Sequence, residues 1–199
     1  MVGDGFWRLA TFTIKPFFRL LLRLEIRGRE HIPRSGPLLL VSNHQSFWDI
    51  PALGSAQPRT IRFMAKRELF RVPVFGPVAL WGGAFPVSRG TADREAMRTV
   101  HDTLRAGGVV VVYIEGHRYE EFGEAKAGAG RFAVAEQAPV VHVAIRGARG
   151  WRPGRRVRIV FGEPVAYEAA GRRARDAYRE TADAMLAEIR RLYETLGDG

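Results

Sequence analysis

The sequence predicts an α/β fold: a single layered domain with a mostly parallel central sheet flanked by helices, preceded by an amphipathic N-terminal segment. Three observations predict it. Short apolar runs rich in β-branched residues recur along the chain, most clearly "LLLVS" at 38–42 and "VVVVYI" at 109–114. Between such runs lie stretches with apolar residues every three or four positions, the pattern of helices packed on a sheet. The length of 199 residues, with 46% hydrophobic and 26% charged, suits one buried core and excludes a disordered chain.

Residues 1–24 are assigned to an interfacial segment and 25–199 to the folded domain. From Phe6 to Leu24 the chain reads "FWRLATFTIKPFFRLLLRL", and Arg8, Lys15, Arg19 and Arg23 are spaced by 7, 4 and 4, on one helical face. A spanning helix needs about 20 mostly uncharged residues, so these cations and Pro16 exclude one. There is no clean apolar core with a small-residue cleavage site, as a signal peptide requires. The expectation is a pair of short helices broken at Pro16, lying in a membrane interface. A helix packed on its own domain is the alternative.

Next, "LEIRG" (24–28) reads as a short strand and Leu38–Ser42 as a buried one. "DIPALG" begins a helix, with Asp49 at a capping position and Pro51 in the first turn. "TIRFMA" (60–65) is a strand, "KRELF" a short helix, and "GGAFPVSRG" (82–90) a strand punctuated by glycine. Thr91 to Ala106 is a helix stopped by Gly107-Gly108. The strand at 109–114 follows, then a loop, a helix from Arg131 to Gln137, and strands in "PVVHVAI" (139–145) and "RVRIVFG" (156–162). Tyr178, Ala182, Met185, Ile189, Leu192 and Leu196 step by 4, 3, 4, 3 and 4, a C-terminal amphipathic helix.

Ligands of such sheets bind beyond the C-terminal ends of the strands. Two loops occupy those positions, after Ser42 and after Ile114, and they carry His44, Asp49, Glu115, His117 and Arg118. On a continuous helix, His44 and Asp49 would lie about 140° apart and could not touch. A strand–turn–helix break lets them meet. The carboxylate would then fix one imidazole tautomer and leave the other nitrogen as a base. An ordinary imidazole titrates near about 6.5, suited to proton removal at neutral pH. The plain alternative is a helix-capping Asp49 beside a turn histidine. In "IEGHR", Gly116 permits close approach of a ligand and Arg118 suits a phosphate or carboxylate. Lys66, Arg67 and Arg89 fall near presumed strand or helix ends.

The net charge of +10 favours anionic partners: membrane, phosphorylated ligand, cofactor phosphate or nucleic acid. The chain has no cysteine, which excludes a disulfide framework, a thiolate nucleophile and Cys-ligated zinc.

"NHQSFWD" resembles the first signature, N-H-x-S-x-x-D, of the glycerolipid acyltransferase family, the group that contains the lysophosphatidic acid acyltransferases. "KRELF" followed by "GGAFPVSRG" is similar to the second region, "YIEGHR" to the third and "APVVHVAI" to the fourth, in order over residues 25–165. The resemblance implies transfer of a fatty acyl group from a thioester, acyl-CoA or acyl carrier protein, to a hydroxyl of a lysophospholipid, chiefly 1-acylglycerol-3-phosphate. It implies His44 as general base and Asp49 as its orienting partner. Glu115 and Gly116 would position the acceptor, and Arg118 and Arg89 would hold its phosphate with help from Lys66. It further implies no resident cofactor or metal, no nucleic-acid partner, and peripheral attachment to the cytoplasmic face of an anionic membrane. His117 and His142 stand where the family usually has threonine and proline, which makes them specificity candidates. With Glu120 and Glu121 after Arg118, they leave a different hydroxylated lipid acceptor open. Two more distant readings are a metal-dependent hydrolase using these histidines and carboxylates, and a non-catalytic membrane- or RNA-binding protein using "RGARGWRPGRRVR" (146–158).

Overall fold

The computed structural model describes residues 12–73, 75–88, 93–169, 171 and 173–197. Strand β2 (Leu38–Ser42) is buried along its whole length. Leu39 and Val41 enter one apolar cluster, while Leu38 and Leu40 enter another. A strand that is apolar on both faces needs cover on both sides, which places it mid-sheet.

The sheet has seven strands in the order β1-β7-β6-β2-β5-β3-β4. The others are β1 (Glu25–Arg27), β3 (Ile61–Lys66), β4 (Ala84–Val87), β5 (Val109–Tyr113), β6 (Val140–Arg146) and β7 (Arg158–Val165). From β6 to β4 all neighbours are parallel. The β6–β7 pair is antiparallel, and β1 runs parallel to β7. The sheet is therefore mixed at one edge. Residues 147–157 join β6 to β7 as an irregular loop, without the helical crossover that a parallel return needs.

Helices α1 (Ile14–Leu21), α2 (Asp49–Ala56) and α3 (Phe75–Trp81) lie toward one face. Helices α4 (Arg94–Arg105), α5 (Ala127–Glu136) and α6 (Ala174–Glu194) cover the other, burying Val100, Leu104, Phe132, Met185 and Ile189 against it. Two helices differ from the sequence expectation. Gly76 and Pro77 disguise α3, because both are poor helix formers. Helix α5 starts at Ala127, four residues before the expected Arg131. Gly130 there abuts the Tyr178 carbonyl of α6, where any side chain would collide.

Helix α1 runs through Pro16 rather than breaking there. A proline in the first turn forfeits only an N–H that has no intrahelical partner. Arg8 and the expected first helix up to residue 11 lie outside the described residues. The orientation of α1 reverses the usual arrangement. Phe12, Phe17 and Leu20 point outward at 77%, 58% and 81% exposure. Inward, Lys15 Nζ donates to the Gln57 carbonyl at 3.1 Å, and Arg19 Nε donates to that of Ser55 at 2.8 Å. Both acceptors lie at the C-terminal end of α2, the negative end of its dipole. Burial, with Arg19 and Arg29 nearby, pushes the Lys15 ammonium down from 10.5 to about 8. Among the described residues no helix is long and apolar enough to cross a membrane.

Candidate active site

The site begins where β2 hands over to its loop. The Asn43 amide donates to the Ile145 carbonyl at 2.9 Å, and its oxygen accepts from the Ile145 N–H at 2.8 Å. This side chain stands in for a strand neighbour, so the main chain can leave the sheet without stranding polar groups of β6. The loop then turns His44 back over the sheet edge, where its ring stacks on Tyr113 with centroids 4.0 Å apart.

His44 Nδ1 lies 2.8 Å from Asp49 Oδ2, with the two side chains only 5% and 1% exposed. The same oxygen accepts the N–H groups of Gln45 at 2.7 Å and Ser46 at 2.8 Å. These loop amides aim the carboxylate before the imidazole reaches it. Since Nδ1 donates to Asp49, Nε2 is the nitrogen left for proton transfer. Ser46 Oγ accepts the Trp48 N–H at 3.2 Å, a turn contact rather than that of an activated nucleophile.

Glu115 is 1% exposed. One of its oxygens accepts the His44 N–H and the other accepts that of Gly123, both at 2.9 Å. Burial raises its pKa, partly opposed by those two amides. Tyr119 N–H also donates to the His44 carbonyl at 3.1 Å. Glu115 thus staples the two loops together. Each of its oxygens is held by a backbone N–H, one from each loop. Gly116 has φ +68, the left-handed backbone that turns the chain at the end of β5.

His44, Gly116, Arg118 and Lys66 line a cavity of about 1040 Å³. Its walls are apolar, supplied by Phe17 and Phe18 of α1, Ile50 of α2, Phe63 of β3 and Val78 of α3. The Arg118 guanidinium carbon sits 3.4 Å from the centre of the Phe47 ring. The Lys66 side chain is half exposed, with a Glu68 oxygen 3.8 Å away. The arrangement is a buried base at the mouth of an apolar groove, with cations beside the opening.

The other predicted residues fall elsewhere. Arg67 donates to Ser88 Oγ at 3.0 Å and pairs with Asp93 and Glu95, pinning the end of β4. Asp93 also accepts the N–H groups of Ser88 and Ala96, which hold its carboxyl down to about 2. Arg89 lies outside the described residues. His117 is exposed and is not part of the cavity lining. His142 lines a separate cavity of about 620 Å³, where Nε2 meets the Tyr167 hydroxyl at 3.0 Å. Burial lowers its pKa against an opposing pull from Glu188. It does not share a cavity with His44. Among the described residues no three His, Asp or Glu side chains gather as metal ligands.

Sequence reasoning missed Asn43, Phe47 and Tyr113 as site residues. Tyr113 ends the strand "VVVVY" and had a visible signal: an aromatic residue at the catalytic edge of a buried strand. Phe47 had none, because a cation–π contact between loops 71 residues apart leaves no trace in spacing.

Residues 23–146 match the profile of a family described as Acyltransferase. Over 164 residues the chain is 26% identical to a 1-acyl-sn-glycerol-3-phosphate acyltransferase of Bacillus subtilis (strain 168), covering 80% of this chain and 82% of that one. It is 28% identical over 189 residues to the chloroplastic 1-acyl-sn-glycerol-3-phosphate acyltransferase BAT2 of Brassica napus, covering 88% of this chain and 54% of that protein. With 1-acyl-sn-glycerol-3-phosphate acyltransferase alpha of Homo sapiens the identity is 35% over 142 residues, 68% of this chain and 49% of that protein. The chain therefore spans about half the length of these plant and human relatives. The crystal structure of the 1-acyl-sn-glycerophosphate acyltransferase PlsC from Thermotoga maritima shares the fold, with a TM-score of 0.75 at 22% identity over 96% of this chain and 82% of that one.

Proposed function

This chain belongs to the acyltransferase family, and from that premise we propose that it moves a fatty acyl group from a thioester to the free hydroxyl of a lysophospholipid. The acceptor named by the relatives is 1-acyl-sn-glycerol-3-phosphate, and the product would be phosphatidic acid. The observation that carries the reading is the buried His44–Asp49 pair at the mouth of a large apolar groove.

The chemistry follows from the geometry. His44 Nε2 removes the acceptor hydroxyl proton while Asp49 holds Nδ1–H and stabilises the imidazolium that forms. The hydroxyl oxygen attacks the thioester carbonyl carbon, and the tetrahedral oxyanion collapses with cleavage of the C–S bond. The thiolate leaves with the proton that His44 carried, so one ester and one thiol are formed and the base is regenerated. No covalent enzyme intermediate is needed. The groove accommodates an alkyl chain, which apolar walls hold by removing its methylene groups from water. Arg118 and Lys66 flank the mouth as phosphate partners, and Arg89 joins them in this proposal.

Helix α1 gives the lipid a route. Its exposed Phe17 and Leu20, with Phe12 just before it, suit the headgroup boundary of a bilayer, and Phe17 is at once a wall of the groove. The protein would sit on the cytoplasmic face of an anionic membrane, drawing lysolipid sideways into the groove. Incubation with acyl-CoA or acyl carrier protein and a lysolipid panel, with products read by mass spectrometry, tests this. The expected result is acylated 1-acylglycerol-3-phosphate. Acylation of a different lysolipid alone would move the acceptor, and no acylation of any member would overturn the reading.

A further inference from the structure

The basic stretch at 146–158 found no place in the chemistry above. Because β6 is parallel to β2 and β5, the β6–β7 loop emerges at the same sheet edge as the two catalytic loops. It touches both of them. Trp151 packs on Trp48, the residue before Asp49, with ring centroids 4.7 Å apart. Arg149 forms an ion pair with Glu120, two residues after Arg118.

The loop is a built structure. Ala148 and Val157 are fully buried at its two ends. Gly147, at φ +86, lies against the Arg156 carbonyl, where any side chain would collide. Trp151 Nε1 donates across the loop to the Arg155 carbonyl at 3.1 Å. At the tip, Arg155 N–H donates to the Arg152 carbonyl at 3.0 Å around Pro153-Gly154, and Gly154 has φ +94. This is a type II turn with proline and glycine in their preferred positions, so it sets Arg152 and Arg155 side by side.

The arginines divide into two pairs. Arg149 is matched to Glu120, and Arg156 to Glu25. Arg152 and Arg155 are exposed and have no ion pair among the described residues. Two adjacent guanidiniums with no ion pair among the described residues, on a rigid turn beside the catalytic mouth, form a site for closely spaced phosphates. A bilayer fits less well. Among the described residues, none of the large exposed apolar side chains belongs to this loop.

We infer that the β6–β7 loop docks the acyl donor, with Arg152 and Arg155 binding the phosphates of the nucleotide end of a coenzyme A thioester. The long pantetheine arm then runs past Trp151 and Trp48 to deliver the thioester at His44. This rests on the acyl-transfer reading and deepens it by choosing the donor as well as its seat.

The test compares wild type with the Arg152→Ala/Arg155→Ala double variant, in neutral detergent micelles. KM for acyl-CoA should rise roughly tenfold to a hundredfold, the scale of two lost charge-assisted contacts. The kcat, the KM for lysolipid and turnover of an acyl-N-acetylcysteamine thioester, which lacks all the phosphates, should not change. Calorimetry with free CoA should show the same loss of affinity without any turnover. An unchanged KM for acyl-CoA together with unchanged CoA affinity overturns the proposal. So does a defect confined to lysolipid KM or to binding of anionic vesicles, or one seen only with acyl carrier protein as donor. If wild type binds CoA and the variant does not, yet no thioester is turned over, the site stands and the acyl-transfer reading falls.

Discussion

Two buried histidines, His44 in the loop after β2 and His142 within β6, have the same side-chain chemistry, yet they are prepared for different work. His44 is paired with a carboxylate that two loop amides aim, and it opens onto the large apolar groove. His142 meets a phenol, Tyr167, beside a smaller cavity against α6. A carboxylate stabilises the imidazolium as a proton arrives, whereas a hydroxyl merely satisfies a ring nitrogen. The difference teaches that burial alone does not make a base. The partner oxygen, and what can reach the other nitrogen, decide it.

The comparison breaks first at its strongest point. His44→Ala is expected to lower the rate of acyl transfer by about 10²–10⁴, while the protein still unfolds in a single cooperative transition in urea. Asp49→Asn comes next. An amide can still accept from Gln45 and Ser46, but it cannot stabilise the imidazolium, so kcat should fall by about a hundredfold or more with KM nearly unchanged. Equal losses in both parameters would show instead that the loop has moved. Glu115→Ala would leave the buried His44 N–H without its partner, costing about 1–3 kcal/mol in chemical denaturation, and the part-buried Gly123 N–H would add less because water can reach it.

A smaller, pH-dependent effect belongs to Lys15. Its folded pKa, about 8, lies below the ordinary 10.5. Between those values the unfolded chain binds the extra proton, so stability rises with pH across that window and the burial penalty is fully present below it. The shift bounds the gain at about 3 kcal/mol. Lys15→Met should flatten this rise in urea titrations run from pH 7.5 to 10.5, and an identical slope in both proteins would remove Lys15 as its source. The smallest effect is assigned to His142→Gln. Activity should stay within about threefold of wild type, since the residue contacts neither His44 nor its cavity. A loss above tenfold would dissolve the contrast between the two histidines.

Much of this was legible in the sequence because it is local. Buried strands announce themselves by composition, and β2, β5 and β6 lie within a residue or two of their expected places. The polar clusters after β2 and β5 marked the catalytic edge through a general rule of α/β sheets. What could not be read depends on partners distant in sequence. The antiparallel turn of β7 is set by edge pairing, and the start of α5 by where a second helix presses on Gly130. The periodicity of 6–24 gave a cationic stripe but not its direction. In α1 that stripe faces the C-terminal carbonyls of α2, leaving Phe17 and Leu20 outside. The loop-joining contacts of Glu115 were hidden for the same reason, because its partners are backbone amides from two loops.

The most direct test of the central claim follows thiol release and ester formation together, from acyl-CoA and 1-acylglycerol-3-phosphate, in wild type and His44→Ala. Wild type should release one thiol for each phosphatidic acid formed, and the variant should show neither above background. Undiminished coupled turnover in His44→Ala, or thiol release without any acylated lipid in wild type, would contradict it.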